Sequence, residues 1–437
     1  MLDVLGNPPI LLKIIGVFAL VIFCIRKKQP IGTAMLAGAL LLGVWCRMSP
    51  RDIFISMATT MFDPTTLLLS VVVVLILILS RSLDTLEQMK RLLASFQGLV
   101  NNVRFNLIVF PALIGLLPMP GGAIFSAPMV DELGNDHALD PETKSLLNYW
   151  FRHVWEFAWP LYPSVLLISS MTSISLWTLV GYAFPLTLIS TIVGYLFLLK
   201  NLPITTSSQK SPTNSTQLLA FFKEMTPVII VIAGAITGNI GIAWLQGTLP
   251  ALAAIPNGIP LILSLLISIL YTWWVNKASF TTIRTIILNK SLLMLVYMIV
   301  AIFIFKEMLV DSHAVTDLSN FLAAQQIPLV VLTILIPFIV GIISGIAVAF
   351  IGTSFPVLLS VFETIHLNPN LILPYLILGF CAGFAGVLFS PLHVCLIFTR
   401  EYFDADFRHM YHRLWQPTVI LMLGGFSYFW LLVFFLR

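Results

Sequence analysis

Apolar runs long enough to enter or cross a bilayer recur near residues 9–25, 31–47, 65–81, 104–133, 145–172 and 176–199. They recur again near 225–245, 258–276, 291–306, 327–365, 371–395 and 413–436. A crossing helix needs about 20 predominantly apolar residues, so the pattern predicts an all-α polytopic membrane protein. Between the two sets lies KNLPITTSSQKSPTNSTQ (200–217), whose Ser, Thr and Pro content reads as a solvated linker. The runs follow the same order on both sides of it, which predicts an internal duplication. The first repeat is expected over 1–199, a polar linker over 200–224 and the second repeat over 225–437. The run at 9–25, with Lys13 inside it and no small-residue cleavage site, reads as a membrane helix and not a signal peptide.

Two runs break the pattern in matching places. Residues 111–128 read PALIGLLPMPGGAIFSAP and residues 337–356 read PFIVGIISGIAVAFIGTSFP. Each opens Pro-x-x-x-Gly (Pro111/Gly115 and Pro337/Gly341) and closes Ser-x-Pro (Ser126/Pro128 and Ser354/Pro356). Glycine and proline interrupting apolar segments at corresponding points of two halves point to the binding site of a secondary transporter. Non-helical backbone at membrane depth must be buried in protein or line a cavity. Re-entrant hairpins are therefore expected at about 104–133 and 327–365. A second interruption follows each hairpin: WPLYP (159–163) and FSPLH (389–393). They predict broken helices over about 145–172 and 371–395. The amphipathic stretches 80–96 and 310–325, leading into the hairpins, read as lying on the surface.

Hydrophobic residues make up 59% of the chain and charged residues 10%, where a soluble domain has about 25% charged residues. The placement of positive charge then tests the topology. If each half has five crossings and one re-entrant hairpin, the second half is inverted relative to the first. With the N-terminus outside, 17 of the 23 Lys and Arg residues fall on the cytoplasmic side, and only Arg47, Arg51, Lys306 and Arg437 fall outside. Fully spanning hairpins would destroy that bias.

Several residues in these segments carry chemistry. Pro120, Gly121, Gly122 and Ser126 of the first hairpin offer freed carbonyls, close backbone approach and a hydroxyl. Gly352, Thr353 and Ser354 offer the same in the second. Ser126, Thr353 and Ser354 together supply oxygens for a sodium ion. Beside the breaks, Tyr162 and His393 occupy matching places, with Ser390 just before the latter. Ahead of the first break, FRHVWEFAW (151–159) holds Arg152, His153 and Glu156, and ionisable groups at membrane depth are functional candidates. Arg152 and Glu156 are four apart, so they are expected on one helical face and able to pair. The corresponding stretch of the second half is uncharged. Cys24, Cys46, Cys381 and Cys395 read as small packing residues without metal-ligand spacing. No P-loop, HExxH or GxSxG motif is present, which argues against an ATP-driven pump, a zinc protease or a serine hydrolase.

The segment PALIGLLPMPGGAIFSAPMV (111–130), followed by NYWFRHVWEFAWPLYP (148–163), resembles the "domain of unknown function 401" family of prokaryotic integral membrane proteins. That family is grouped with the ion transporter superfamily, alongside gluconate and citrate permeases and divalent anion–sodium symporters. The resemblance implies inverted repeats with re-entrant hairpins, and elevator-type carriage of an organic anion with Na⁺ or H⁺. GTS (352–354) and FSAP (125–128) stand where related symporters carry Ser-Asn-Thr triplets around sodium, which leaves protons open as the coupling ion.

The expectation is therefore a secondary transporter, not an enzyme, for a small organic anion in a prokaryotic cytoplasmic membrane. No cofactor beyond a coupling Na⁺ or H⁺ and no nucleic-acid partner are expected, and a homodimer stays open. Two alternatives belong to other classes: an intramembrane enzyme using His153 and Glu156 as acid and base, or a non-transporting subunit or scaffold.

Overall fold

The structure, a computed structural model, describes residues 10–27, 29–96, 99–100, 102–118, 122–172, 174–204, 215–245, 258–314, 317–318, 321 and 328–437. The regular secondary structure of these residues is all helix, with no strand among them. Among the described residues, seven helices are long and apolar enough to cross a membrane, and four shorter apolar ones accompany them. This is a multi-pass membrane protein by the length and composition of its helices.

In the first half the helices are α1 (Ile10–Arg26), α2 (Ile31–Trp45), α3 (Pro50–Met61), α4 (Pro64–Thr85) and α5 (Gln88–Phe96). They are followed by α6 (Val103–Gly115), α7 (Ala123–Asn135), α8 (Pro141–Arg152), α9 (Pro163–Met171) and α10 (Leu176–Gly194). The second half runs α11 (Ser215–Leu245), α12 (Ile259–Val275), α13 (Phe280–Ile287), α14 (Lys290–Asp311), α15 (Leu329–Ser344) and α16 (Ala347–Thr364). It ends with α17 (Pro369–Leu388), α18 (Val394–Phe403) and α19 (Phe407–Leu436). Helix starts follow local chemistry: Ser49, Asp63, Asp140 and Asp406 cap α3, α4, α8 and α19 by accepting backbone N–H bonds. Pro50, Pro64 and Pro141 occupy first-turn positions where no amide donor is needed.

Several boundaries differ from the sequence reading. Helix α11 begins at Ser215, inside the stretch expected to be linker, because 215–224 continues the helical run without a breaker until Pro227. The second broken helix extends past 395 to Phe403, and α19 starts at Phe407. The polar stretch 400–413 is thus mostly helix, with only a short turn at Asp404 in the left-handed region. The first broken helix does not run on to Glu156. Helix α8 stops at Arg152, and a 3-10 turn, Val154–Phe157, carries Glu156. Arg152 and Glu156 therefore do not share one face of a continuous α-helix.

The two halves exchange the same contacts. Helices α1 and α2 pack together, as do α11 and α12; α2 packs on α14 and α12 on α4; α3 packs on α14 and α13 on α4. Around the interruptions, α6 packs on α8 and α15 on α17, while α9 packs on α16 and α18 on α7. Each helix after a break is thus seated on the other half. Glycine makes the closest of these approaches: a Cβ on Gly115 would strike the carbonyl oxygen of Arg152, and one on Gly341 the carbonyl oxygen of Gly383. Small residues let backbones meet in this way inside membranes.

Burial sorts the helices into layers. Of their most apolar stretches, 78% is buried in both Ala347–Thr364 and Pro369–Leu388, against 17% in Thr216–Leu245 and 22% in Phe407–Leu436. Large exposed apolar side chains such as Trp244, Trp274 and Phe434 stand on the outer helices, where lipid is their natural solvent. The interrupted helices form the interior.

Candidate functional site

Both breaks open onto one cavity of about 740 Å³. The first contributes Arg152, His153, Glu156 and Tyr162, and the second Phe384, Val387, His393 and Cys395. Gly345–Val348 and Pro118, Ile124 and Phe125 add the turns that follow α15 and α6. The opposite wall comes from the start of α2 (Pro30–Gly32), the end of α4 (Ser80, Arg81, Asp84) and α14 (Met294, Leu295, Met298). Volume and lining suit a small molecule: mostly apolar surface with a few convergent polar groups.

Proline and glycine shape this wall. Pro163 starts α9 after the WPLYP turn, with Tyr162 in extended backbone just before it. Helix α15 ends at Gly345, whose φ of 63° lies in the left-handed region that favours glycine. A Cβ there would also meet the His393 amide at 2.9 Å. Each break is tied to the opposing turn by one side chain. The Tyr162 hydroxyl donates to the Gly115 carbonyl at 2.6 Å, and His393 Nδ1 donates to the Gly345 carbonyl at 2.7 Å.

The polar groups are buried and mutually arranged. Arg152, His153, Glu156 and Tyr162 are all buried, and the Tyr162 hydroxyl lies beside both Arg152 and Glu156. His153 Nδ1 stands 2.6 Å from the Tyr149 carbonyl oxygen. Since a carbonyl only accepts, both histidines carry their ring proton on Nδ1 when neutral. Their Nε2 atoms face each other at 3.1 Å across the two halves. Tyr149 holds its ring edge-on against both imidazoles and donates its hydroxyl to the Leu388 carbonyl at 3.0 Å.

The structure brings together Arg152, His153, Glu156, Tyr162 and His393, and leaves the other sequence candidates elsewhere. Pro120 and Gly121 lie outside the described residues. Gly122 is the cap residue of α7 in helical conformation. Ser126 is buried away from the cavity and donates to Asn148 Oδ1 at 2.6 Å, while Asn148 donates to the Ala123 carbonyl at 2.8 Å. Thr353 donates to the Ala349 carbonyl at 2.6 Å, and Ser390 to the Ile342 carbonyl at 2.6 Å. A Cβ on Gly352 would meet Ile302 at 2.8 Å, and Ser354 is fully buried beside it. None of Gly122, Ser126, Gly352, Thr353, Ser354 or Ser390 lines the cavity. Of these hydroxyls, Ser126, Thr353 and Ser390 tie helices to their own backbone or to each other, while Ser354 Oγ is buried without a hydrogen-bond partner among the described residues.

Two chemistry-bearing residues were not singled out by sequence. Tyr149 lies one turn before His153, and Cys395 lies two residues after His393. The His-x-Cys pair was the available signal. Its third neighbour, His153, comes from the other half of the chain, so no local spacing reveals it.

The family model described as Protein of unknown function (DUF401) matches residues 10–431, nearly the whole chain, and the chain belongs to that family. No curated protein matches it.

Proposed function

We propose that this chain is a secondary active transporter of a small organic anion, driven by a proton or sodium gradient across a prokaryotic cytoplasmic membrane. Arg152 carries the reading: a buried guanidinium facing a cavity built from both breaks and both turns. A guanidinium offers a planar fork of donors matched to a carboxylate. The apolar wall from Leu77, Met294, Leu295, Met298 and Phe398 would take the body of the anion.

The same proposal includes two inverted repeats, each with five crossings and one re-entrant hairpin, an N-terminus outside, and kinship with the ion transporter superfamily. Three observations support it. The helices of the first turn, 13 residues each, extend only about 20 Å at roughly 1.5 Å per residue, short of a hydrocarbon core of about 30 Å. The contacts of the two halves are exchanged pairwise, as a two-fold relation requires. The cavity lies on the seam between the interior interrupted helices and the helices α2, α4 and α14, where relative motion of the two layers would carry a bound anion.

A thermal-shift screen of the purified protein against mono-, di- and hydroxycarboxylates, with Na⁺ and at several pH values, tests this directly, since a ligand of the native state raises apparent stability. Stabilisation by one carboxylate class, lost in Arg152→Ala, supports the proposal. Turnover of a substrate by protein in detergent, without any gradient, would favour an enzyme instead.

A further inference from the structure

We propose that His153, His393 and Cys395 form a binding site for a late transition-metal ion, Zn²⁺ or copper, that joins the two halves at the cavity. His153, His393 and Cys395 each offer one ligand atom, and the three atoms all lie within 4.8 Å of one another. They enter from separate elements: His153 follows α8, His393 sits at the second break and Cys395 is on the first turn of α18.

The histidines are oriented for this. Each donates its Nδ1 proton to a backbone carbonyl, Tyr149 at 2.6 Å and Gly345 at 2.7 Å. Metal-bound histidines are held in that way, with the far ring nitrogen fixed by a carbonyl and the near one left bare. The result would otherwise be unfavourable, because two neutral rings would point lone pairs at each other across 3.1 Å. A cation between them removes the repulsion. Two nitrogens at roughly 2.0–2.1 Å from one tetrahedral ion stand about 3.3 Å apart, close to the observed separation.

The thiol separates a metal from a shared proton. A proton between two nitrogens needs only those two atoms, whereas the Cys395 sulfur also lies within reach of both rings. A nitrogen–nitrogen–sulfur set suits Zn²⁺ or copper and does not suit Mg²⁺ or Ca²⁺, which take oxygen. Coordination deprotonates the thiol, its proton passing to solvent. All three residues line the cavity, so a fourth position faces open space, the arrangement of a site that accepts a further ligand. The second half alone supplies His393 and Cys395, whereas the corresponding positions of the first are Tyr162 and Ser164. The inference does not require the chain to move an anion.

The experiment uses the full-length protein in detergent, stripped with a chelator and kept reduced, then titrated with Co²⁺ as a spectroscopic stand-in for Zn²⁺. One equivalent per chain is expected, with a thiolate-to-cobalt charge-transfer band, loss of the band on adding one equivalent of Zn²⁺, and a raised melting temperature. A parallel titration with cuprous ion under the same reducing conditions ranks copper against zinc by displacement. Cys395→Ser is expected to lose the band and weaken binding at least tenfold, while Cys381→Ser, a buried cysteine outside the cavity, keeps both. The proposal is overturned if wild-type protein binds no stoichiometric metal, or binds Co²⁺ without a thiolate band. It is equally overturned if the band survives in Cys395→Ser. The wild-type spectrum decides even where a variant fails to fold.

Discussion

The first break presents Arg152, His153, Glu156 and Tyr162 to the cavity, while the corresponding positions of the second are Gly383, Phe384, Val387 and His393. The backbone contacts around the two are nevertheless the same. Gly115 lies against the Arg152 carbonyl and Gly341 against the Gly383 carbonyl, and the side chain ten residues further on bonds back to the end of the glycine helix, Tyr162 to Gly115 itself and His393 to Gly345 just past α15. Scaffold and chemistry have thus diverged independently. Close backbone packing constrains both halves, because any side chain at those glycines would collide with a carbonyl. Charge is constrained in one half only, and a single guanidinium suffices to orient one anion.

The largest expected effect comes from removing that charge. Arg152→Ala should reduce anion uptake on the order of 100-fold or more, in line with the roughly 2–5 kcal/mol lost when one member of a buried charged contact is truncated. Proteoliposome uptake measures it, with thermal melting to verify the fold. Next in size are Gly115→Ala and Gly341→Ala. Each introduces a methyl group against a carbonyl and should cost about 1–3 kcal/mol, read as a lower melting temperature. A neutral result for one and not the other would break the matching of the halves.

Tyr162→Phe should be milder, about 1 kcal/mol, since it removes one hydrogen bond to the Gly115 carbonyl. Uptake should fall less than in Arg152→Ala, and a larger fall would make the hydroxyl a ligand contact in its own right. The smallest effect belongs to the rim, where Arg413 of the second half meets Asp140 at 3.0 Å. Burial pushes the Asp140 carboxyl up, but hydrogen bonds from Thr143 and Arg413 outweigh it and hold the group below its ordinary value. Its contribution is present above the unfolded-state pKa and is lost as pH falls through the lower folded value. With the pair half-exposed, Asp140→Asn should cost only a few tenths of a kcal/mol near neutral pH. The melting-temperature difference from wild type should vanish in acid.

Much of this arrangement was legible from the letters because glycine and proline have backbone consequences that do not depend on partners. The WPLYP and FSPLH breaks mark interruptions that line the cavity, whereas the repeated Pro-x-x-x-Gly marks close backbone approaches at Gly115 and Gly341, the second inside a continuous helix. Arg152, His153, Glu156 and His393 were legible because ionisable groups are rare in apolar runs. Hydroxyls were less informative: Ser126, Thr353 and Ser390 have carbonyl or amide partners within reach, and sequence does not distinguish a hydroxyl facing a cavity from one bonded to a neighbouring helix. The stop at Arg152 was misjudged because the run through Glu156 contains no breaker before Pro160. Cys395 was read as a packing residue because its neighbour His153 lies 240 positions from His393.

The central claim is that a cavity assembled from both halves, with charge from one, carries an organic anion. Its most direct test is counterflow of radiolabelled carboxylates in proteoliposomes holding either wild-type protein or Arg152→Ala, under imposed proton and sodium gradients. The account predicts saturable, gradient-dependent uptake of one carboxylate class by wild type and none by the variant, with cooperative melting of the variant verifying that it is folded. Equal uptake by both proteins, or none by wild type for any carboxylate under either gradient, would contradict it.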